Sequence, residues 1–176
     1  MEEAGVPVVA ALRVALMRPL GHGRLTLQAR DPAVQPRIEL NYCAKPEDEW
    51  RLMEGVRLAW KVIESEPMAK AYQRVAGLTE QTVLADAKLK SYIRGNIGTY
   101  CHASGTVPIG PDSDPNAALD AKCKVRGTEN LFVADASAFP TIPSAVPNLT
   151  VMMLVERVAD WLRGKPVNAG AGASAR

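Results

Sequence analysis

His102 is the residue in this sequence best suited to acid–base chemistry. It lies in Tyr100-Cys-His-Ala-Ser-Gly-Thr106, between Gly98 and Gly105, in otherwise apolar surroundings. An imidazole there can take up or release a proton near neutral pH. A hydrogen-bonded loop or core histidine is the plainer alternative. Asp135 follows the apolar run Leu131-Phe-Val-Ala134 and precedes the small residues Ala136 and Ser137. A carboxylate at such a strand end can accept a hydrogen bond from a ligand hydroxyl, or it can cap a turn. Asn148, in Pro147-Asn-Leu-Thr150, stands where a helix is expected to start. The free N–H groups and positive dipole end of that helix would stabilise developing negative charge. Asn148 is also a good N-cap, and the two roles are compatible.

The cysteines add little. Cys43, Cys101 and Cys123 are widely spaced, no CxxC pair exists, and only His22 and His102 could join them, so no metal site is expected. An odd, sparse count fits reduced thiols better than a disulfide framework. A Cys101–His102 dyad is disfavoured because neighbours on a strand point to opposite faces. Hydrolysis through Cys101 or Ser104 lacks a G-x-S-x-G elbow and an acidic orienting group.

The elements that must carry these residues follow from the patterning. Residues 24–30 and 36–42 alternate apolar and polar side chains, with Asp31-Pro32 between them, and read as an antiparallel pair. His22, between Gly21 and Gly23, reads as a turn residue. Pro46 opens a helical pattern with Leu52, Val56, Ala59, Trp60 and Ile63 on one side, Glu47, Asp48 and Glu49 favouring its start, and Pro67 ending it. A second helix is expected from Glu80 to Ile93. Residues 96–128 are too rich in glycine and proline for regular helix, though 106–109 could form an edge strand. Residues 131–134 read as a buried strand. After the proline-rich stretch 138–147, of a kind that often lines ligands, a final amphipathic helix runs from Asn148 to about Arg163, closed by Gly164 and Pro166. The order predicts an α+β fold with a mostly antiparallel sheet covered on one face by helices. An amino-terminal segment (1–14), a domain over 15–166 and a disordered tail (167–176) are expected.

Composition excludes several function classes. The chain has 176 residues, 21 basic against 19 acidic, for a net charge of +2, and its basic residues are scattered. Nucleic acid and anionic membrane surfaces are therefore not expected partners. Glu2 and Glu3 stand where a secretory leader would carry positive charge, and residues 149–155 are too few to span a bilayer, so a soluble, cytoplasmic protein is expected.

Several of these stretches, taken in order, carry a resemblance. They are Pro19-Leu-Gly-His-Gly-Arg-Leu-Thr-Leu27, residues 31–42, His102-Ala-Ser-Gly-Thr-Val-Pro-Ile-Gly110, Asn130-Leu-Phe-Val-Ala-Asp-Ala-Ser-Ala-Phe-Pro140 and Pro147-Asn-Leu-Thr-Val-Met152. The chain resembles the carboxy-terminal domain of the glucose–methanol–choline (GMC) oxidoreductases over roughly residues 15–165. The resemblance implies an FAD-dependent oxidation of an alcohol. It makes His102 the base or hydrogen-bond partner of the substrate hydroxyl and places Asn148 beside it, both facing the reactive part of the flavin. It further implies that Asp135 and Ala136 approach the flavin's phosphate and ribityl portion, and that Asn148, Leu149 and Thr150 approach the pyrimidine end of its ring.

One family feature is missing. No G-x-G-x-x-G follows a strand, and Gly21-His-Gly23 lacks the third glycine and leads into a strand. The resemblance therefore implies a separate FAD-binding domain or partner chain. Fragment, split-enzyme subunit and stand-alone domain all remain open. The alternative function is a flavin-free binding or scaffold domain that acts through a partner chain or a homodimer.

Overall fold

A computed structural model describes residues 11–164 of the protein, and these fall into two compact units divided after Gly98. The expected tail and most of the amino-terminal segment lie outside the described residues.

The first unit opens with a ribbon. Strands β1 (Arg24–Thr26) and β2 (Arg37–Glu39) pair antiparallel, with Leu25 opposite Ile38. The expected pairing forms, but each strand is only three residues long. Leu25 and Ile38, opposite each other in the ribbon, are exposed, as are Leu27 and Leu40 just beyond the strand ends. The helices of this unit pack chiefly on one another.

Helix α1 (Pro46–Ile63) has proline in its first turn beside Glu47, Asp48 and Glu49, and Lys61 in its last, all favourable to the helix dipole. A four-residue helix, α2 (Glu66–Ala69), follows with Pro67 in its first turn. The single helix expected over residues 80–93 is two: α3 (Glu80–Leu84) and α4 (Asp86–Asn96), broken where Ala85 turns extended at ψ 110°. Periodicity could not show this break, because alanine carries no helix-stopping signal. Thr79 caps α3 by accepting from the Thr82 N–H at 3.3 Å. The break lets Arg57 of α1 hold Asp86 at the start of α4, while Glu49 holds Arg94 at 2.6 Å. Between these ties lies a core of Met53, Leu89 and Ile93, with Leu52, Val56 and Tyr92 packed against it.

The second unit has little regular structure before its last helix. Residues 131–134, expected as a buried strand, make one antiparallel bridge, Lys124 to Phe132, and Leu131 is exposed. The segment 106–109 contributes only a parallel bridge between Ile109 and Leu119. A 3₁₀ turn covers Ala136–Ala138, and α5 runs from Asn148 to Leu162. Gly164, at φ 69°, ends α5 in the left-handed conformation expected of a helix-terminating glycine. One core joins these pieces: Leu119, Cys123, Ala138 and Val158 are buried, with Val107, Ile109, Val133, Leu154 and Trp161 packed around them.

Candidate active site

Backbone hydrogen bonds fix where His102 sits. Starting three residues beyond it, the N–H groups of Gly105, Val107 and Ile109 donate to the carbonyls of Ala136, Ser137 and Ala138 at 3.1, 3.0 and 2.9 Å. The histidine segment therefore runs beside the Asp135–Ala138 turn. Gly105 is needed at that crossing. Its φ is +77°, and a Cβ there would meet the Phe139 carbonyl oxygen at 3.3 Å.

His102 itself is half-buried, and the Ser104 hydroxyl donates to its carbonyl at 3.1 Å. The residues before it form a tight turn rather than a strand. The Cys101 N–H donates to the Thr99 hydroxyl oxygen at 2.9 Å, and Cys101 adopts φ +63°. Cys101 and His102 therefore do not alternate as strand neighbours would, although Cys101 is exposed where His102 is not. The Tyr100 ring meets the His102 imidazole edge-on, with centroids 4.9 Å apart and planes at 80°. Sequence reasoning passed over Tyr100; its signal was an aromatic two residues before the histidine.

Asp135 acts as a turn cap. Its Oδ1 accepts the Ser137 N–H at 2.8 Å and also the Ser137 hydroxyl, and the side chain faces solvent. Ala136 is half-buried and offers its carbonyl to Gly105. Asn148 does not cap α5. Pro147 holds the N-cap position with φ −71° and ψ −9°, already helical, which puts Asn148 in the first turn with no side-chain capping bond. The first intrahelical bond runs from Val151 N–H to the Pro147 carbonyl, so the N–H groups of Asn148, Leu149 and Thr150 precede the ladder. Asn148 and Leu149 are exposed and Thr150 is half-buried. Leu154, Val158 and Trp161 anchor α5 in the core that also receives Val107, Ile109 and Ala138. The structure thus brings the His102 segment directly against the Asp135–Ala136 turn, and α5, which begins at Asn148, packs on the same core through Leu154, Val158 and Trp161. Among the described residues, no hydrogen bond joins the His102 and Asn148 side chains.

The thiols differ by environment. Burial, and then the nearby Asp120 carboxylate, pushes the Cys123 thiol above its ordinary value of 9.0. Burial is also the main cause of the rise at Cys43, followed by the charge of Glu49. Among the described residues no cluster of His, Cys, Asp or Glu is arranged to hold a metal ion. No helix among them is long and apolar enough to cross a membrane.

The Gly21-His-Gly23 turn is a built structural feature. The Asp48 carboxylate accepts the Leu20 N–H at 2.9 and 3.0 Å and the Gly21 N–H at 2.7 Å. A Cβ on Gly23 would lie 2.5 Å from the Glu39 carbonyl oxygen. The glycines serve close packing, and the carboxylate already fills the place that a bound anion would take.

The GMC oxidoreductase family profile matches residues 19–154, which include every one of these site residues. The chain belongs to the GMC oxidoreductase family. Among curated relatives of this GMC chain is the 5-(hydroxymethyl)furfural oxidase of Methylovorus sp. (strain MP688), 36% identical over 154 residues and 81% of the chain. Another is the oxygen-dependent choline dehydrogenase of Photobacterium profundum, 31% identical over 147 residues and 84% of the chain. The chain spans 29% of the first relative's length and 26% of the second's. Among solved structures, the formate oxidase of Aspergillus oryzae RIB40, in a variant bearing on its FAD modification, superposes with a TM-score of 0.75. It is 29% identical, and the match covers 85% of this chain and 26% of that one. The α+β class expected from the sequence agrees with these neighbours.

Proposed function

We propose that the chain is the substrate-side part of an FAD-dependent alcohol oxidoreductase, with His102 and Asn148 at the substrate hydroxyl. Family membership supports the reaction class. The observation that supports the assignment to these residues is the shared core, on which the segment after His102, the Asp135–Ala138 turn and the body of α5 pack together.

His102 takes the hydroxyl proton as the alcohol is oxidised, and Asn148 holds the hydroxyl oxygen through its side-chain amide. Bound FAD would supply the hydride acceptor for the alcohol carbon. The first turn of α5 suits such an electron-rich ring: three N–H groups precede the helix ladder at the positive end of a 15-residue helix. Asp135 and Ala136 would lie toward the ribityl and phosphate portion, with Leu149 and Thr150 toward the ring. The Gly21-His-Gly23 turn offers no such fit to the adenosine diphosphate half, because the Asp48 carboxylate already accepts the Leu20 and Gly21 N–H groups there. A nucleotide-binding domain or partner chain would supply that half. The substrate is a small alcohol, such as those named for the furfural and choline relatives.

The test is to supply FAD to the chain alone and to the chain co-produced with a GMC nucleotide-binding portion. Flavin bleaching by 5-(hydroxymethyl)furfural and by choline is then followed without oxygen. The co-produced protein should be yellow and bleach, and His102→Ala should slow bleaching by about 10² to 10⁴-fold. Absence of a yellow species in both preparations, or an unchanged rate in His102→Ala, would overturn the proposal.

A second reading is favoured by the exposed apolar side chains. Leu25 and Ile38 lie exposed on the ribbon with Leu27 and Leu40 at its ends, and Leu149, Met152 and Met153 lie exposed along α5. A flavin-free domain that binds a partner chain or a second copy would use such surfaces. It is distinguished by retaining partner binding in His102→Ala with no flavin present.

A further inference from the structure

We propose that Tyr100 is a positioning residue for His102, held against it by the Thr99–Cys101 turn. This rests on the reading of His102 as the proton acceptor. The His102 side chain has no hydrogen-bond partner among the described residues, so no acceptor fixes its ring plane. The aromatic contact does. The Tyr100 ring stands edge-on to the imidazole at 4.9 Å and 80°, within the range preferred by aromatic pairs.

The contact depends on the residue between them. In an extended chain, side chains two apart share a side but stand apart along the strand. Here Cys101 enters the left-handed region at φ +63°, with its N–H bonded to the Thr99 hydroxyl oxygen, and the chain folds so that the two rings meet. A β-branched side chain is poorly tolerated in that conformation, whereas glycine adopts it freely. Position 101 therefore controls the contact through backbone conformation, with no role for the thiol. The Tyr100 ring is half-exposed, so the contact with His102 leaves part of it open to solvent.

The ring contact can be tested without flavin. The full chain has two histidines, His22 and His102, so imidazole signals in a proton–carbon correlation spectrum are assigned by their loss in His102→Gln. A nuclear Overhauser contact between the Tyr100 and His102 rings is expected in the native chain, in Tyr100→Phe and in Cys101→Gly. It should vanish in Tyr100→Ala and Cys101→Val, with the His102 signals moved and those of His22 in place. Absence of the contact in the native chain, or unmoved His102 signals in Tyr100→Ala, overturns the proposal. Should Cys101→Val fail to fold, the Tyr100→Ala and Tyr100→Phe pair decides the matter. In the bleaching assay, Tyr100→Ala should lower kcat by about 10 to 100-fold at little changed KM, with Tyr100→Phe restoring it. A native chain that never bleaches tells against the proposed function and leaves the ring spectra as the test of Tyr100.

Discussion

Two buried residues show how far one side chain can matter away from His102. Asp48 is nearly fully buried and accepts three backbone hydrogen bonds from Leu20 and Gly21, so it ties the turn before β1 to the start of α1. Asp48→Ala leaves those N–H groups without their acceptor and should lower unfolding free energy by about 2–4 kcal/mol, read from a urea transition. Cys123 is sealed in the core, and burial raises its thiol above 9.0. The folded state therefore holds this proton more tightly than the unfolded chain does. Its contribution to stability is full below pH 9.0 and is lost as pH rises through the higher folded-state value. Iodoacetamide at pH 8 should accordingly label Cys101 first and Cys123 only on unfolding. Mass spectrometry of the labelled peptides decides this, and early Cys123 labelling would count against the buried placement.

At the scale of elements, packing and backbone breaks do more than propensity. Helix α4 is separated from α3 only at Ala85, yet that break lets Leu89 and Ile93 face Met53 of α1. Leu89 is fully buried, so Leu89→Ala should cost about 2–5 kcal/mol through lost burial and the cavity left behind. A loss under about 1 kcal/mol in a denaturant titration would mean that this contact is not the joint between the helices. Helix α5 behaves differently. It buries Val158 and packs Leu154 and Trp161, but leaves Leu149, Met152 and Met153 exposed. Its apolar residues encircle more of the helix than one core can cover, as suits a helix with a second neighbour.

For the whole molecule, the relation to its relatives is a matter of extent. The chain spans 26–29% of the length of the GMC relatives it matches, and its apolar ribbon face and α5 surface are open. Exposed apolar area of this kind drives association. The isolated chain should therefore self-associate in size-exclusion chromatography, and the double substitution Leu25→Lys, Ile38→Lys should shift it toward monomer without unfolding it. An unchanged elution profile would assign self-association to another surface. Co-production with a GMC nucleotide-binding portion should suppress self-association in the native chain.

The sequence alone determined the pieces with strong local causes. The α1 and α5 spans follow from apolar periodicity, Pro46 and Gly164, because a helix start and stop are decided within one turn. The ribbon follows from alternation and its Asp31-Pro32 turn. The family likeness was equally legible, since its motifs are contiguous. What needed the tertiary structure was everything carried by non-local contacts. Asp48 looked like a helix-start charge until Leu20 and Gly21 came to it from 28 and 27 residues away. Pro147 displaced Asn148 from the N-cap because its own backbone is already helical. Residues 131–134 fall short of a buried strand because only one bridge partner reaches them. Tyr100 reaches His102 through a left-handed Cys101, a conformation that cysteine does not announce. Local patterning chose the elements, while partners distant in sequence decided what each side chain touches.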